Sequence, residues 1–102
     1  MSIFKDILQE ERKRLNALKN KYEQALKKLP KGSLSRKVRN NKSYYYLAYR
    51  KGDKVIFEYV GKADSEKYHI LQKELSKRHE VLNKLKQVNK ELRELSKTSH
   101  EE

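Results

Sequence analysis

All three glycines and the only proline of this 102-residue chain fall between positions 29 and 62. On either side of this segment, apolar residues recur three and four positions apart, which is the spacing of an amphipathic helix. Pro30 ends the first periodic segment, because proline disfavours the helical conformation for the residue before it. The sequence therefore predicts two long helices separated by a non-helical insert, and this division limits the possible folds more than any other feature.

The periodic segments predict a helix over residues 3–29 and a second over 64–97, which Asp64 caps and which a frayed tail over 98–102 follows. The first helix has an apolar residue at every seventh position: Leu8, Leu15, Tyr22 and Leu29. Helices with such polar outer faces are not stable alone. We expect their apolar seams to pair as a coiled coil, either within one chain or between chains.

The insert predicts a small basic antiparallel sheet over residues 33–61. Three stretches alternate or carry β-branched and aromatic residues, and two turns separate them. The first turn is Asn40-Asn41, because asparagine tolerates positive φ, and the second surrounds Gly52. The fold class is therefore α+β: a long helix, a three-stranded antiparallel sheet and a long helix in one domain.

The register of the second hairpin decides which side chains share a face. A two-residue loop at Gly52-Asp53 places Tyr49 opposite Ile56 and puts Leu47 on the same face as Glu58. A three-residue loop collects apolar residues on one face: Tyr45, Leu47, Tyr49, Val55, Phe57 and Tyr59. We prefer the three-residue loop, because it gives the cleaner face to bury. The other face then carries Tyr44, Tyr46, Ala48, Arg50, Ile56 and Glu58.

The positive charge is concentrated in the same region. The whole chain has a net charge of +12, and residues 27–54 contribute ten basic residues against Asp53 alone. A concentrated positive field favours a polyanionic partner such as nucleic acid. The alternative is that lysine and arginine on edge strands only prevent aggregation between sheets.

We predict that the sheet contacts nucleic acid. Its lysines and arginines would bind phosphates, and its tyrosines and some of the basic side chains would contact bases. The predicted contact residues are Arg36, Lys37, Arg39, Lys42, Tyr44, Tyr46, Arg50, Lys51 and Lys54. Exposed tyrosines can stack on bases, but in so small a sheet they can equally supply its core. We assign Tyr45, Tyr49 and Tyr59 to the core and leave both interpretations open for Tyr44 and Tyr46.

Patterns typical of other functions are absent from the sequence. The chain has no cysteine, and its three histidines lack metal-ligand spacing. No nucleophile motif, phosphate-binding loop, signal peptide or apolar membrane span is present. We therefore expect a cytoplasmic protein that is not an enzyme, needs no cofactor or metal, and binds no small-molecule substrate or membrane.

The segment GSLSRKVRNNKSYYYLAYRKGDKVIFEYVGK resembles two groups of proteins. The first comprises short prokaryotic and phage proteins with a GSL…YYYL.YR.G.KV…YVGK core, and it transfers no function. The second is the three-stranded arm-type DNA-binding domain of transposon and phage integrases, whose sheet enters the major groove. That resemblance implies DNA contacts at Tyr46, Arg50, Lys51 and Lys54. It also implies a mobile-element origin, although the chain has no recombinase domain.

The sequence as a whole predicts a small DNA-binding protein, with duplex DNA as the expected partner and RNA left open. The alternative is a coiled-coil interaction module whose basic sheet meets an acidic protein. The second helix is longer than the first, so part of its apolar stripe should remain uncovered by the first helix. We expect a second copy of the chain to cover this part and so form a homodimer. That stripe consists of Val81, Leu85, Val88, Leu92 and Leu95.

Overall fold

The computed structural model describes residues 2–100 and has the predicted α+β class. The elements follow in the order α1 (Ile3–Lys28), β1 (Ser33–Arg39), β2 (Lys42–Lys51), β3 (Lys54–Lys62) and α2 (Glu66–His100). Two compact units are present instead of one continuous core. One unit combines α1 with the part of α2 from Glu80 onward, and the other runs from Leu29 to His79.

In the first unit, α1 and α2 pack against each other, so the helices pair within one chain. The heptad residue Leu15 is 1% exposed, and Val81 and Val88 are each 4% exposed. These two valines belong to the stripe from which the homodimer was predicted. Because they are already covered within the chain, the uncovered surface expected there is absent at these positions, and the homodimer stays a prediction.

The second unit contains the sheet, in which β2 lies between β1 and β3 and both pairings are antiparallel. Asn40 and Asn41 form the first turn with φ values of 50° and 64°, as the sequence predicted. Leu29 is joined to the early part of α2 by a hydrogen bond from the Arg78 guanidinium to its carbonyl oxygen at 3.3 Å.

The second hairpin has the two-residue loop, so the preferred register was wrong. Lys51 pairs with Lys54 across Gly52-Asp53, and Tyr49 lies opposite Ile56. Gly52 has a φ of 63°, a left-handed conformation that glycine adopts without steric cost. Two-residue loops are the commonest hairpin connections, and this loop sets the register here. Burial does not select the register, because one face of the sheet is open.

The boundaries of the second helix also differ from the prediction. Ser65 caps α2 instead of Asp64, and its Oγ accepts a hydrogen bond from the Tyr68 amide at 3.2 Å. The helix continues to residue 100, so positions 98–100 are helical and not a frayed tail. The remaining two residues of that tail lie outside the described part of the chain. Within residues 2–100, neither helix is long and apolar enough to cross a membrane.

Candidate nucleic-acid interface

The observed register sorts the sheet into two chemically different faces, because directly paired residues of antiparallel strands share a face. We call the first the aromatic face. It carries Lys37, Arg39, Lys42, Tyr44, Tyr46, Arg50, Val55, Phe57, Tyr59 and Lys62. We call the second the helix-side face. It carries Leu34, Arg36, Val38, Tyr45, Leu47, Tyr49, Ile56, Glu58 and Val60.

The helix-side face packs on the beginning of α2. The rings of Tyr45 and Tyr68 lie 4.4 Å apart between centroids, and Val60 is only 6% exposed. Burial of its ring is the main cause of a raised pKa at Tyr68, and a hydrogen bond with Tyr45 adds to it. This face therefore supplies the apolar contacts that hold the sheet on the helix.

A polar pair closes the outer part of the helix-side face. The Tyr49 hydroxyl donates a hydrogen bond of 2.5 Å to a Glu58 carboxylate oxygen. This bond, followed by desolvation and the carboxylate charge, raises the pKa of Tyr49. Glu58 is the only acidic residue within the three strands, so its negative charge is held on the face opposite the aromatic face.

The aromatic face is open. Val55, Phe57 and Tyr59 are 52%, 51% and 53% exposed. The preferred three-residue loop assigns Val55, Phe57 and Tyr59 to the buried face, and all three assignments are wrong because the register differs by one residue. The rings are nevertheless ordered by one another. The centre of the Tyr59 ring lies 5.4 Å from the centre of the Tyr46 ring, in an edge-to-face arrangement, and 6.4 Å from the centre of the Tyr44 ring.

Lys37 lies above these rings. Its Nζ atom is 5.1 Å from the centre of the Tyr46 ring and 5.0 Å from the centre of the Phe57 ring. At this distance the negative face of an aromatic ring attracts an ammonium group. The side chain extends from β1 across β2 towards β3, so one cation covers part of the aromatic surface in the free protein.

The other cations of the aromatic face lie at its two ends. Arg39 and Lys42 pair beside the asparagine turn, and Lys62 lies opposite Tyr44 at the same end. A β-bulge between Tyr45 and Tyr46 shifts the register of β3 and brings Lys62 to this position. Arg50 lies at the far end of β2. The aromatic rings are therefore bordered by positive charge, and no acidic side chain lies among the strand residues of this face.

The structure brings most of the predicted contact residues together and separates three from the rest. Those on the aromatic face are Lys37, Arg39, Lys42, Tyr44, Tyr46 and Arg50. Arg36 lies on the helix-side face, where its Nε donates a hydrogen bond of 3.1 Å to Ser43 Oγ. Lys51 and Lys54 share that face at the hairpin end. They are exposed, but they do not border the rings.

Sequence reasoning missed Phe57, Tyr59 and Lys62 as members of the candidate site. The usable signal was the Gly-Asp pair at the hairpin, because two-residue loops are the commonest hairpin connections. With that loop, alternation along β3 places Phe57 and Tyr59 beside Tyr46. Lys62 had no such signal, since its position depends on the β-bulge.

The chemistry of the aromatic face follows from the side chains that it brings together. Among the described residues, no group of three or more histidine, aspartate or glutamate side chains could hold a metal ion. The groups that approach one another on the aromatic face are cations and rings. Such a set can bind anions and planar aromatic ligands.

Comparison with known proteins places residues 8–69 in a family described as a domain of unknown function, DUF6788. The match spans more than half of the 102 residues, and the chain belongs to this family. It includes most of α1, the whole sheet and the first turn of α2. No curated protein and no solved structure matches the chain.

Proposed function

We propose that this protein binds nucleic acid through the aromatic face and catalyses no reaction. The observation that carries the proposal is the separation of charge and aromatic rings on the sheet. Five cations border four aromatic rings on one face, and the acidic residue of the strands lies on the other. Phosphates bind such cations and release counterions, while rings contact the apolar surfaces of bases or sugars.

The arrangement is not explained by protection of the sheet edges alone. Lysine or arginine anywhere on β1 and β3 would discourage pairing with another sheet. Edge protection does not require exposed aromatic residues, which carry their own risk of aggregation. A ligand that offers both negative charge and planar apolar groups accounts for both features. The resemblance to arm-type integrase domains is consistent with this proposal.

A charge-reversal pair tests which face binds. The first variant changes Arg39, Lys42 and Lys62 on the aromatic face to glutamate. The matched control changes Arg36, Lys51 and Lys54 on the helix-side face to glutamate, and both variants carry the same net charge. All six side chains are exposed, so we expect both proteins to fold. Fluorescence anisotropy with labelled nucleic acid should show lost binding for the first variant and a much smaller loss for the control.

Equal losses in the two variants would mean that the net charge attracts nucleic acid and that the aromatic face is not the site. Retained binding in both would show that neither set of cations contacts the nucleic acid. Absence of binding by the wild-type protein would remove nucleic acid as the ligand and leave the acidic-protein alternative. A salt series supplies a second criterion. The logarithm of affinity should fall linearly with the logarithm of salt concentration, with a slope of about 0.9 per phosphate contacted on duplex DNA.

The homodimer predicted from the sequence is part of this proposal as an oligomeric state. Two aromatic faces on one particle would gain avidity on one nucleic acid without further contacts. Sedimentation equilibrium measures the mass directly. A mass of one 12.3 kDa chain at every concentration would remove the dimer and leave a single binding face per particle.

A further inference from the structure

We infer that the ligand of the aromatic face is single-stranded nucleic acid, whose unpaired bases stack on Phe57, Tyr59 and Tyr46. This inference rests on the proposed function and replaces the duplex DNA expected from the sequence. It follows from three observations: the exposure of the rings, the angles between them, and the position of Lys37.

The exposure of the rings favours unpaired bases. About half of the surface of Phe57 and Tyr59 is open to solvent, at 51% and 53%. In a duplex each base is covered on both faces by its neighbours, and the grooves present base edges and phosphates. An aromatic ring has no hydrogen-bonding group for those edges beyond a tyrosine hydroxyl. The complementary surface for an exposed ring is the flat face of a base, which only an unpaired nucleotide offers.

The ring geometry leads to the same ligand. The planes of Tyr46 and Tyr59 meet at 67°, and those of Tyr44 and Tyr59 meet at 44°. Bases in a duplex are parallel to one another, so neighbouring bases cannot each stack on rings inclined in this way. A single strand can turn each base independently about its flexible backbone. The rings therefore fit bases that are splayed apart.

Lys37 occupies the place that a base would take. Its ammonium group lies about equally far from the Tyr46 and Phe57 rings, at 5.1 and 5.0 Å. A cation–π contact at an exposed site is weak. A base that stacks on either ring displaces the ammonium group, and the displaced group is then within reach of the phosphate of that nucleotide. One weak contact is replaced by a stacking contact and a charge pair.

The positions of the remaining cations suggest a path for the nucleic acid along β2. Along β2, the residues on the aromatic face are Lys42, Tyr44, Tyr46, Ala48 and Arg50, so cations lie at both ends and rings between them. Arg39 and Lys62 strengthen the first end. A strand that runs along β2 would place phosphates at the two charged ends and bases on the rings between them.

The test compares three labelled probes of about 12 nucleotides, a length within the range that single-strand-binding modules cover. The probes are one single-stranded DNA, the same DNA annealed to its complement, and the corresponding single-stranded RNA. Anisotropy at physiological salt should give tighter binding of at least one single strand than of the duplex. Preference for DNA or for RNA identifies the source of the strand, and either preference supports the inference.

Two variants separate stacking from apolar contact. Phe57→Leu and Tyr59→Leu keep an apolar side chain and remove the ring, while Val55→Ala is the control. Val55 is as exposed on the same face and has no ring. Each ring variant should weaken single-strand binding about 5- to 150-fold, the range for loss of one stacked base, and should leave duplex binding unchanged. Val55→Ala should bind almost as the wild type does.

A third variant, Lys37→Gln, tests the displaced cation. The salt dependence of single-strand binding should become shallower by about 0.7, the contribution of one phosphate contact on a single strand. An unchanged slope would overturn the transfer of Lys37 to a phosphate. A circular dichroism spectrum like that of the wild type and a cooperative urea transition that begins above the assay conditions confirm that each variant is folded.

The failures of the inference and of the proposed function are distinct. Equal or tighter binding of the duplex, or ring variants that bind single strands normally, would overturn the stacking inference and leave nucleic-acid binding in place. Absence of binding to all three probes would overturn both. A dimer of the free protein that dissociates on Phe57→Leu would show that the rings bind a second copy of the chain, and would also overturn the inference.

Discussion

Truncation of Phe57 should cost much less stability than truncation of a residue in the helical core. Changing a fully buried phenylalanine to alanine lowers the free energy of unfolding by about 3–5 kcal/mol. Phe57 is 51% exposed, so about half of the transfer free energy is absent and little cavity forms. We expect Phe57→Ala to lower the free energy of unfolding by about 1–2 kcal/mol. Leu15 is 1% exposed, and Leu15→Ala should cost about 3–4 kcal/mol.

Urea denaturation followed by circular dichroism at the helix signal measures both values. Small proteins have a urea dependence of about 1 kcal/mol per molar, so the two variants should differ in midpoint by at least about 1 M. The phenylalanine variant has lost the larger side chain, so its smaller effect would reflect exposure alone. A cost for Phe57→Ala equal to that for Leu15→Ala would show that the aromatic face is covered in solution, and would refute both the open face and the proposals built on it.

Four further substitutions test local features of the fold. Glu58→Gln should lower the pKa of Tyr49, because the charged hydrogen-bond acceptor is lost. Folding raises this pKa, so the bond stabilises the protein at pH values below the pKa of Tyr49 in the unfolded chain, and the stabilisation is lost as pH rises through its pKa in the folded protein. An absorbance titration of tyrosinate, with Tyr49→Phe as the reference, measures the change. Gly32→Ala should destabilise the protein by more than about 2 kcal/mol, because the added Cβ would lie 2.4 Å from the Ala48 carbonyl oxygen. Gly52 also has a positive φ, but the space around it is open, so Gly52→Ala should cost only about 1 kcal/mol in the same urea assay. Ser65→Ala should cost about 1 kcal/mol through loss of the α2 cap, and an unchanged midpoint would contradict that role.

The elements of the fold could be predicted because each depends on a local pattern. The first helix, its end before Pro30 and the turn at Asn40-Asn41 are read from nearby residues, and the structure confirms them. The end of α2 could not be read in this way. Its last residues are polar, and polar composition does not distinguish a frayed tail from the last turns of a helix.

The register of β2 and β3 was mispredicted for a different reason. The choice assumed that apolar residues gather on one face because that face is buried. Phe57 and Tyr59 break this assumption, since the face that holds them is open. The loop at Gly52 was the better guide, because turn geometry acts locally and does not depend on which face is covered. Every cation of the site except Lys62 was found from composition, but the division of the basic residues between two faces depended on this register.

The exposed rings bring a cost that the fold itself does not require. The helix-side face already supplies the apolar contacts between the sheet and α2, through residues such as Tyr45 and Val60. Phe57 and Tyr59 add little burial and leave an apolar surface in water, partly covered by Lys37. Large exposed apolar groups bordered by polar residues are typical of binding surfaces. The whole aromatic face lies inside residues 8–69, the segment matched by the DUF6788 family, so it belongs to the part of the chain that defines the family match.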